Sequence, residues 1–256
     1  FPGRRRGGKS FFLFPLSRQY LLDSGVGEDQ IIGIALDEID NAKYRNPFEL
    51  NKVVKERMPD KEKRYYIFID EIQFVTEVQN PYVDDPNEKL TFIDVVIGLM
   101  KLPNADIYVT GSNSKMLSSD ILTQFRDRGD EIRVNPLSFA EAYENYQGDK
   151  RGVWRDYYTY GGMPLVWAME SHEEKSRYLR DLFNRTYIKD VLERHQIKNN
   201  EEILDILLSV LASGIGSLTN PSRLSNTFES ERHLRIAPDT IDTYIGYFLE
   251  AFLLQK

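Results

Sequence analysis

The chain has no cysteine, only three histidines, and no apolar run near the length of a membrane span. Without cysteine there can be no disulfide, no thiolate-bound zinc and no thiol nucleophile. His172, His195 and His233 are too far apart for the short spacings of metal-binding motifs, so each is expected to be a surface or packing residue. A bilayer-crossing helix needs about 20 consecutive apolar residues. The first residues also lack the basic-then-apolar pattern of a signal peptide. The expectation is a cytoplasmic protein with no membrane association. Nor is there an excess of positive charge. The 33 Lys and Arg stand against 40 Asp and Glu, a net charge of −7, so nothing global announces a nucleic-acid binder. With 256 residues, 41% of them hydrophobic, the chain can bury one large core or two modest ones.

What is present is concentrated in two short stretches. Gly3-Arg4-Arg5-Arg6-Gly7-Gly8-Lys9-Ser10 fits G-x-x-x-x-G-K-[ST]. Glycines in that pattern let backbone N–H groups converge on phosphate oxygens, Lys9 would reach the β- and γ-phosphates, and the Ser10 hydroxyl would ligate Mg²⁺. The start of a following helix would add its positive dipole end. The alternative is a Gly/Arg-rich terminal tail. Arg4, Arg5 and Arg6 form a local basic patch that a triphosphate explains without invoking a polynucleotide.

The second stretch is Tyr65-Tyr66-Ile67-Phe68-Ile69-Asp70-Glu71, five apolar or aromatic residues running into two carboxylates. An unbroken apolar run reads as a strand of a parallel sheet buried on both faces. Such a strand delivers its last residues to the carboxyl edge, where open α/β sheets bind ligands. Asp70 would then anchor Mg²⁺ through the water shell of the metal, and Glu71 would orient or deprotonate an attacking water. Taken alone the pair could be a solvated strand end. The phosphate-loop pattern sixty residues earlier favours the chemical reading.

Other segments alternate. Ser10 to Leu22 predicts a helix closed by Asp23-Ser24-Gly25, with Pro15 forcing a kink or an irregular turn. Ile31 to Leu36 predicts a strand ending in the acids Asp37, Glu38 and Asp40, read as a solvated strand end. Phe48 to Met58 has helical spacing, Asn80 to Lys89 is a polar loop, and Thr91 to Leu102 returns to helix. Ala105 to Asn113 predicts another buried strand ending in small polar residues. Strands alternating with helices define an α/β domain with a parallel sheet. A phosphate loop needs a strand feeding it, and only Phe1 and Pro2 precede this one, so the sequence is expected to begin inside the motif.

From Ser138 the pattern is helical: Phe139 to Tyr146, Val153 to Tyr160, Glu173 to Arg194 and Glu201 to Ala212. Then come a turn at Ser217 to Pro221, a short helix over Ser222 to Phe228, a charged β-like segment over Arg232 to Ile236, and a final helix with Asp239 as candidate N-cap. This order predicts a winged-helix module over 196–256, after a helical lid over 138–195 and a nucleotide-binding α/β domain over 1–137. From Gln196 to Lys256 there are five Lys/Arg against eight Asp/Glu, a balance that opposes gripping DNA phosphates. Packing against protein, or self-association, is the competing role.

Five blocks occur in one order: Gly3 to Ser10; Ile67 to Glu71; Val109-Thr110-Gly111-Ser112-Asn113; Arg126 to Arg128 ahead of Pro136-Leu137-Ser138-Phe139-x-Glu141; and Tyr160-Gly161-Gly162-Met163-Pro164. In this the chain resembles the prokaryotic AAA-type ATPases that carry a restriction-endonuclease-like C-terminal domain. The likeness runs over essentially the whole sequence. Its first two blocks are generic to phosphate-loop NTPases, whereas the Pro-Leu-Ser-Phe and Gly-Gly-Met-Pro blocks are specific to the group. The resemblance implies ATP, rather than another nucleotide, with Mg²⁺. It implies that Asn113 is the polar residue sensing the γ-phosphate or the lytic water. It also sets Arg128 at the position of a nucleotide-sensing or finger arginine, with that role left open because Asp127 stands where the group usually has glycine. A salt-bridged loop is the other reading of Arg126 and Arg128, and a strand-end cap the other reading of Asn113. Gly161, Gly162 and Pro164 read as a structural turn. The nuclease-like domain would follow the final helix and is expected to be absent from this sequence, so no nuclease activity is carried over. The expectation is an ATP-binding, ATP-hydrolysing protein. The alternative is a nucleotide-dependent switch or DNA-binding regulator with little hydrolysis.

Overall fold

Apolar segments bounded by charged or turn-forming residues build the sheet of the first half. The computed structural model describes residues 11–111, 125, 129–146, 148–184, 191–192, 195, 197, 201–251 and 253–254. The chain divides into two compact units, Phe1–Pro136 and Leu137–Lys256.

In the first unit the strands are β1 (Ile31–Ala35), β2 (Tyr65–Asp70), a two-residue antiparallel ladder of β3 (Val78–Gln79) with β4 (Lys89–Leu90), and β5 (Ala105–Val109). The main sheet has the order β1-β2-β5, parallel throughout, with Ile32 opposite Ile67 and Ile67 opposite Ile107. β2 is central, and all its residues but Tyr66 are buried, as a strand covered on both faces requires. The strand expected to be buried at Ala105 is instead half-buried along its length. Its sequence gives the reason: Asp106 stays at the surface, paired with Arg64 at 2.6 Å. The polar loop from Asn80 is the connection of the β3–β4 ladder, which claims Lys89 as a strand residue.

The register sorts side chains by face. Ile32, Ile34, Ile67 and Ile69 join one core with Leu50, Val53 and Val54 of α2 (Pro47–Glu56) and with Val95 and Leu99 of α3 (Phe92–Met100). Fully burying each such side chain contributes about 2 kcal/mol. Asn46 caps α2 through the N–H of Phe48 with Pro47 at the first helical position, and a Thr91–Asp94 capping box opens α3. Gly33, Phe68 and Tyr108 share a row on the other face, where the Phe68 and Tyr108 rings stack with centroids 4.9 Å apart. Phe14 covers that row. A Cβ on Gly33 would stand 2.9 Å from the Phe14 ring, so the close approach needs glycine there.

Phe14 belongs to the first helical segment. Pro15 cannot donate the backbone bond of a regular helix, and Phe12–Leu16 winds as a π-helical turn before α1 (Ser17–Asp23) begins. The irregularity expected at Pro15 is there. Gly25, at φ +87°, follows the end of α1.

In the second unit, capping boxes open α4 (Phe139–Asn145) through Ser138 and Glu141, and α7 (His172–Asp181) through Ser171 and Glu174. The Ser138 backbone N–H and hydroxyl hold the Glu141 carboxyl below its ordinary value. Between them lie α5 (Lys150–Tyr160), capped by Asp149, and the short α6 (Pro164–Trp167). α8 (Glu201–Ser213), α9 (Pro221–Arg232) and α10 (Pro238–Glu250) pack Leu204, Leu207, Phe228, Ile241 and Phe248 into one buried cluster.

Three expectations for this unit need correction. α9 runs four residues past Phe228 and ends at His233 in the left-handed region. The segment expected to be β-like is not a strand; residues 233–237 lie in no regular element, and none of the described residues over 201–251 is in a strand. Asp239 is not an N-cap, because Pro238 takes the first helical position and leaves Ala237 as the cap. The part of the predicted Glu173 to Arg194 helix over 185–190 and 193–194 lies outside the described residues.

Candidate functional site

The end of β2 is built around a buried acid. Asp70, only 4% exposed, accepts a hydrogen bond at Oδ1 from the hydroxyl of the fully buried Thr110, the first residue past β5. The same hydroxyl oxygen accepts from the N–H of Glu71 at 3.1 Å, while the Thr110 carbonyl accepts from Ile72 N–H at 3.0 Å and its N–H donates to Ile69 at 2.9 Å. Thr110 therefore ties four consecutive residues at the β2 exit, Ile69 to Ile72, to the end of β5.

Glu71 sits at φ 54°, ψ 49°, a left-handed conformation uncommon for a residue with a side chain. The turn lifts the chain off the sheet into a single turn of 3₁₀-helix, Ile72–Phe74, and leaves the Glu71 side chain half-buried at the edge. Its Oε2 accepts from the side-chain amide of Gln73. On the other side, Arg45 donates to the carbonyls of Leu36 at 2.8 Å and Asp37 at 3.3 Å, and its guanidinium lies 4.9 Å from the centre of the Phe74 ring. The exits of β1 and β2 are thereby held together. Gln73 and Arg45 carry no signal in the sequence, and Thr110 stands there only as a member of the Val109 to Asn113 block, with no role of its own. Asp37, Glu38 and Asp40 are exposed, as expected of a solvated strand end.

Chain direction relates the first helical segment to this edge. α1 ends at Asp23, seven residues intervene before β1 starts at Ile31, and Phe14 lies over the middle of the sheet. The segment Phe12–Asp23 therefore runs antiparallel to the strands, and its start points toward the carboxyl edge where Asp70 and Glu71 lie. Gly3, Arg4, Arg5, Arg6, Gly7, Gly8, Lys9 and Ser10, which lead into that start, are outside the described residues, as are Asn113, Arg126 and Arg128. Among the described residues no group of three or more His, Cys, Asp or Glu could hold a metal ion, and no helix is long and apolar enough to cross a membrane.

Residues 2–143 match the AAA domain family. The chain belongs to it. Residues 151–256, which follow the AAA domain, match a domain of unknown function, DUF8612. Over 99% of its length the AAA chain is 30% identical to an uncharacterized protein of Haemophilus influenzae, of which it covers 60%. Over 98% it is 26% identical to the uncharacterized protein MJ1544 of Methanocaldococcus jannaschii, of which it covers 54%. The chain thus spans little more than half the length of these relatives. Among solved structures, PCH-2 of C. elegans is similar over 98% of this chain and 58% of that one, at 15% identity and a TM-score of 0.38. The DNA clamp loader delta protein of Bacillus subtilis is similar over 100% and 84%, at 11% identity and the same TM-score. Likenesses this distant say nothing of function.

Proposed function

We propose that this chain binds ATP with Mg²⁺ and hydrolyses it at the carboxyl edge of its parallel sheet. The observation that supports this most is the exit of β2: a buried Asp70 fixed by Thr110, followed by Glu71 raised on a left-handed turn, at the edge toward which the first helix starts. Family membership supports the same reading.

The donor set suits the metal. Mg²⁺ takes hard oxygen ligands and keeps several of its waters, and a carboxylate oriented by a neighbouring hydroxyl is suited to hold such waters. In this reading Ser10 supplies a direct ligand and Asp70 the outer contact. Gly3, Gly7 and Gly8 would offer backbone N–H groups to phosphate oxygens, and Arg4, Arg5, Arg6 and Lys9 would neutralise their charge. Bound Mg·ATP would supply the phosphoryl group that water attacks, ADP leaving as the bond between the β- and γ-phosphates breaks. Glu71 accepts the proton of that water at a carboxylate oxygen, with Gln73 fixing the orientation of the side chain. Asn113 would orient the γ-phosphate or the water, and Arg128 would meet developing charge.

The test separates binding from chemistry in the full-length protein. Glu71→Gln is expected to keep ATP and Mg²⁺ affinity and to lose turnover by about a hundredfold or more, the scale of a general base. Asp70→Asn is expected to weaken Mg²⁺-dependent binding by roughly 10–100-fold, and Lys9→Ala to abolish binding. Single-turnover hydrolysis and calorimetric affinity read these out. Parental turnover in Glu71→Gln would overturn the catalytic assignment, and parental affinity in Lys9→Ala the phosphate-loop assignment.

A further inference from the structure

One helix face in the second unit stays largely exposed, with the edge contact of one ring as its tie to the neighbouring helix. α5 turns Val153 and Tyr160 into the core, and Tyr157 donates its hydroxyl to the Leu137 carbonyl at 2.9 Å. On the opposite side stand Arg151, Trp154, Arg155 and Tyr158, spaced i, i+3, i+4 and i+7, which places them in one stripe about 100° wide. All four are exposed. Trp154 is 62% and Tyr158 81% accessible, values at which a large ring contributes little burial to its own fold. The Arg151 and Arg155 side chains are 91% and 78% accessible.

The stripe has a second row. Phe139 of α4 meets the Trp154 ring edge-to-face at 5.2 Å and also contacts Tyr143, over whose ring Lys150 lies at 4.7 Å. Three cations and three accessible rings thus share one surface of a chain whose net charge is −7. Nearby acids compensate only in part. Asp149 holds Arg151 through both carboxylate oxygens at 3.0 and 3.1 Å, but the Arg151 side chain is 91% accessible and solvent screens the pair, so a phosphate can compete for its open side. Asp156 lies 3.7 Å from the buried Lys175 and only loosely, at 3.9 Å, near Arg155. Glu141 turns back onto Ser138, and Glu144 remains exposed.

We propose that this stripe binds single-stranded nucleic acid, with Trp154 and Tyr158 stacking on bases and Arg151, Arg155 and Lys150 meeting the backbone. Rings interleaved with cations are the platform that single strands require, since every base has a face to stack and every nucleotide a charge to neutralise. The spacing favours a single strand over a duplex. Trp154 and Tyr158 are one helical step of four residues apart, about 6 Å along the axis. That is nearly twice the 3.4 Å step within each strand of duplex DNA. Neighbouring bases reach both rings only when unstacked from one another. An acidic peptide would satisfy the cations but leave the rings without planar partners. The stripe belongs to the second unit and uses neither Asp70 nor Glu71, so the proposal holds or falls independently of nucleotide hydrolysis.

The test uses labelled oligo(dT) and oligo(U) of about 15 nucleotides, within the range of single-strand sites, with anisotropy read on the full chain. Binding is expected at low salt for both. Three phosphate contacts give a log–log salt slope of about −2 for a single strand. Trp154→Ala and Tyr158→Ala should each weaken binding about tenfold, with Trp154→Phe keeping most of it. The double change Arg151→Ala, Arg155→Ala should flatten the salt slope. The chain has two tryptophans, Trp154 and Trp167, so in a Trp167→Phe background quenching of Trp154 reports stacking directly. Circular dichroism checks that each variant is folded. No binding at low salt, undiminished binding by the alanine variants, or a preference for duplex of the same sequence would each overturn the proposal. So would tighter binding of poly-glutamate, which would mark a peptide site, or a dimer lost in Trp154→Ala, which would mark a contact between copies.

Discussion

Thr110 shows how much one hydroxyl organises. It donates to Asp70 Oδ1 and accepts from Glu71 N–H, so replacing it with valine keeps the shape and removes both bonds. Leaving the Asp70 oxygen buried without that donor costs about 1–3 kcal/mol. Thr110→Val is therefore expected to lose that much in chemical denaturation and to slow ATP turnover, while Thr110→Ser restores both. A valine variant with parental stability and turnover would show that the hydroxyl does not orient the acid. At this scale the sequence is readable where a residue type has few uses. An Asp-Glu pair ending an apolar strand points to the carboxyl edge, and the structure puts it there. Thr110 is not readable in the same way, because a threonine at a strand end looks like any β-branched strand residue, and its partner lies forty positions away. The hydrogen bond of Gln73 to Glu71 depends on the left-handed turn at Glu71, which no neighbouring residue type announces.

At the scale of elements, the two sequence blocks specific to the resemblance prove to be partners. Leu137 of Pro-Leu-Ser-Phe donates its N–H to the Gly162 carbonyl of Gly-Gly-Met-Pro at 2.7 Å, and the Trp167 indole bonds the Gly161 carbonyl at 3.0 Å. Gly161 needs its φ of +71°, whereas Gly162 needs space: a Cβ there would stand 2.0 Å from the Leu137 carbonyl oxygen. Backbone cannot yield as a flexible side chain would. Gly162→Ala is expected to cost at least about 2 kcal/mol in a denaturant titration followed by tryptophan fluorescence. Parental stability would mean that the α4 and α6 segments are not coupled through this contact. The β-like reading of Arg232 to Ile236 failed for a related reason. Exposed His233, half-buried Leu234, exposed Arg235 and buried Ile236 do alternate, and Ser225 donates its hydroxyl to the Ile236 carbonyl at 2.6 Å. Alternation of this kind reports extended chain lying on a core. A strand also needs a neighbouring strand to bond with, and hydropathy carries no information about that neighbour.

For the whole molecule, the two units differ in how far apart in sequence their contacts lie. β1 pairs with β2 only after the crossover from Ala35 to Tyr65 is closed, and β2 with β5 only after that from Asp70 to Ala105. In the second unit, α4 packs on α5 and α9 on α10, each pair adjacent along the chain. Non-local parallel pairing forms slowly and local helix pairs form fast. Both tryptophans lie in the second unit, so their fluorescence follows that unit alone while far-ultraviolet dichroism follows both. Refolding from denaturant is expected to return the tryptophan signal in an early phase, with the rest of the dichroism recovering at least about tenfold more slowly. A single shared phase would refute this order. On the ribosome the sequence order offsets the difference in speed. At about 5–20 residues per second, making Leu137–Lys256 takes on the order of ten seconds, and the sheet has that time to find its pairing before the quick-folding unit has been made.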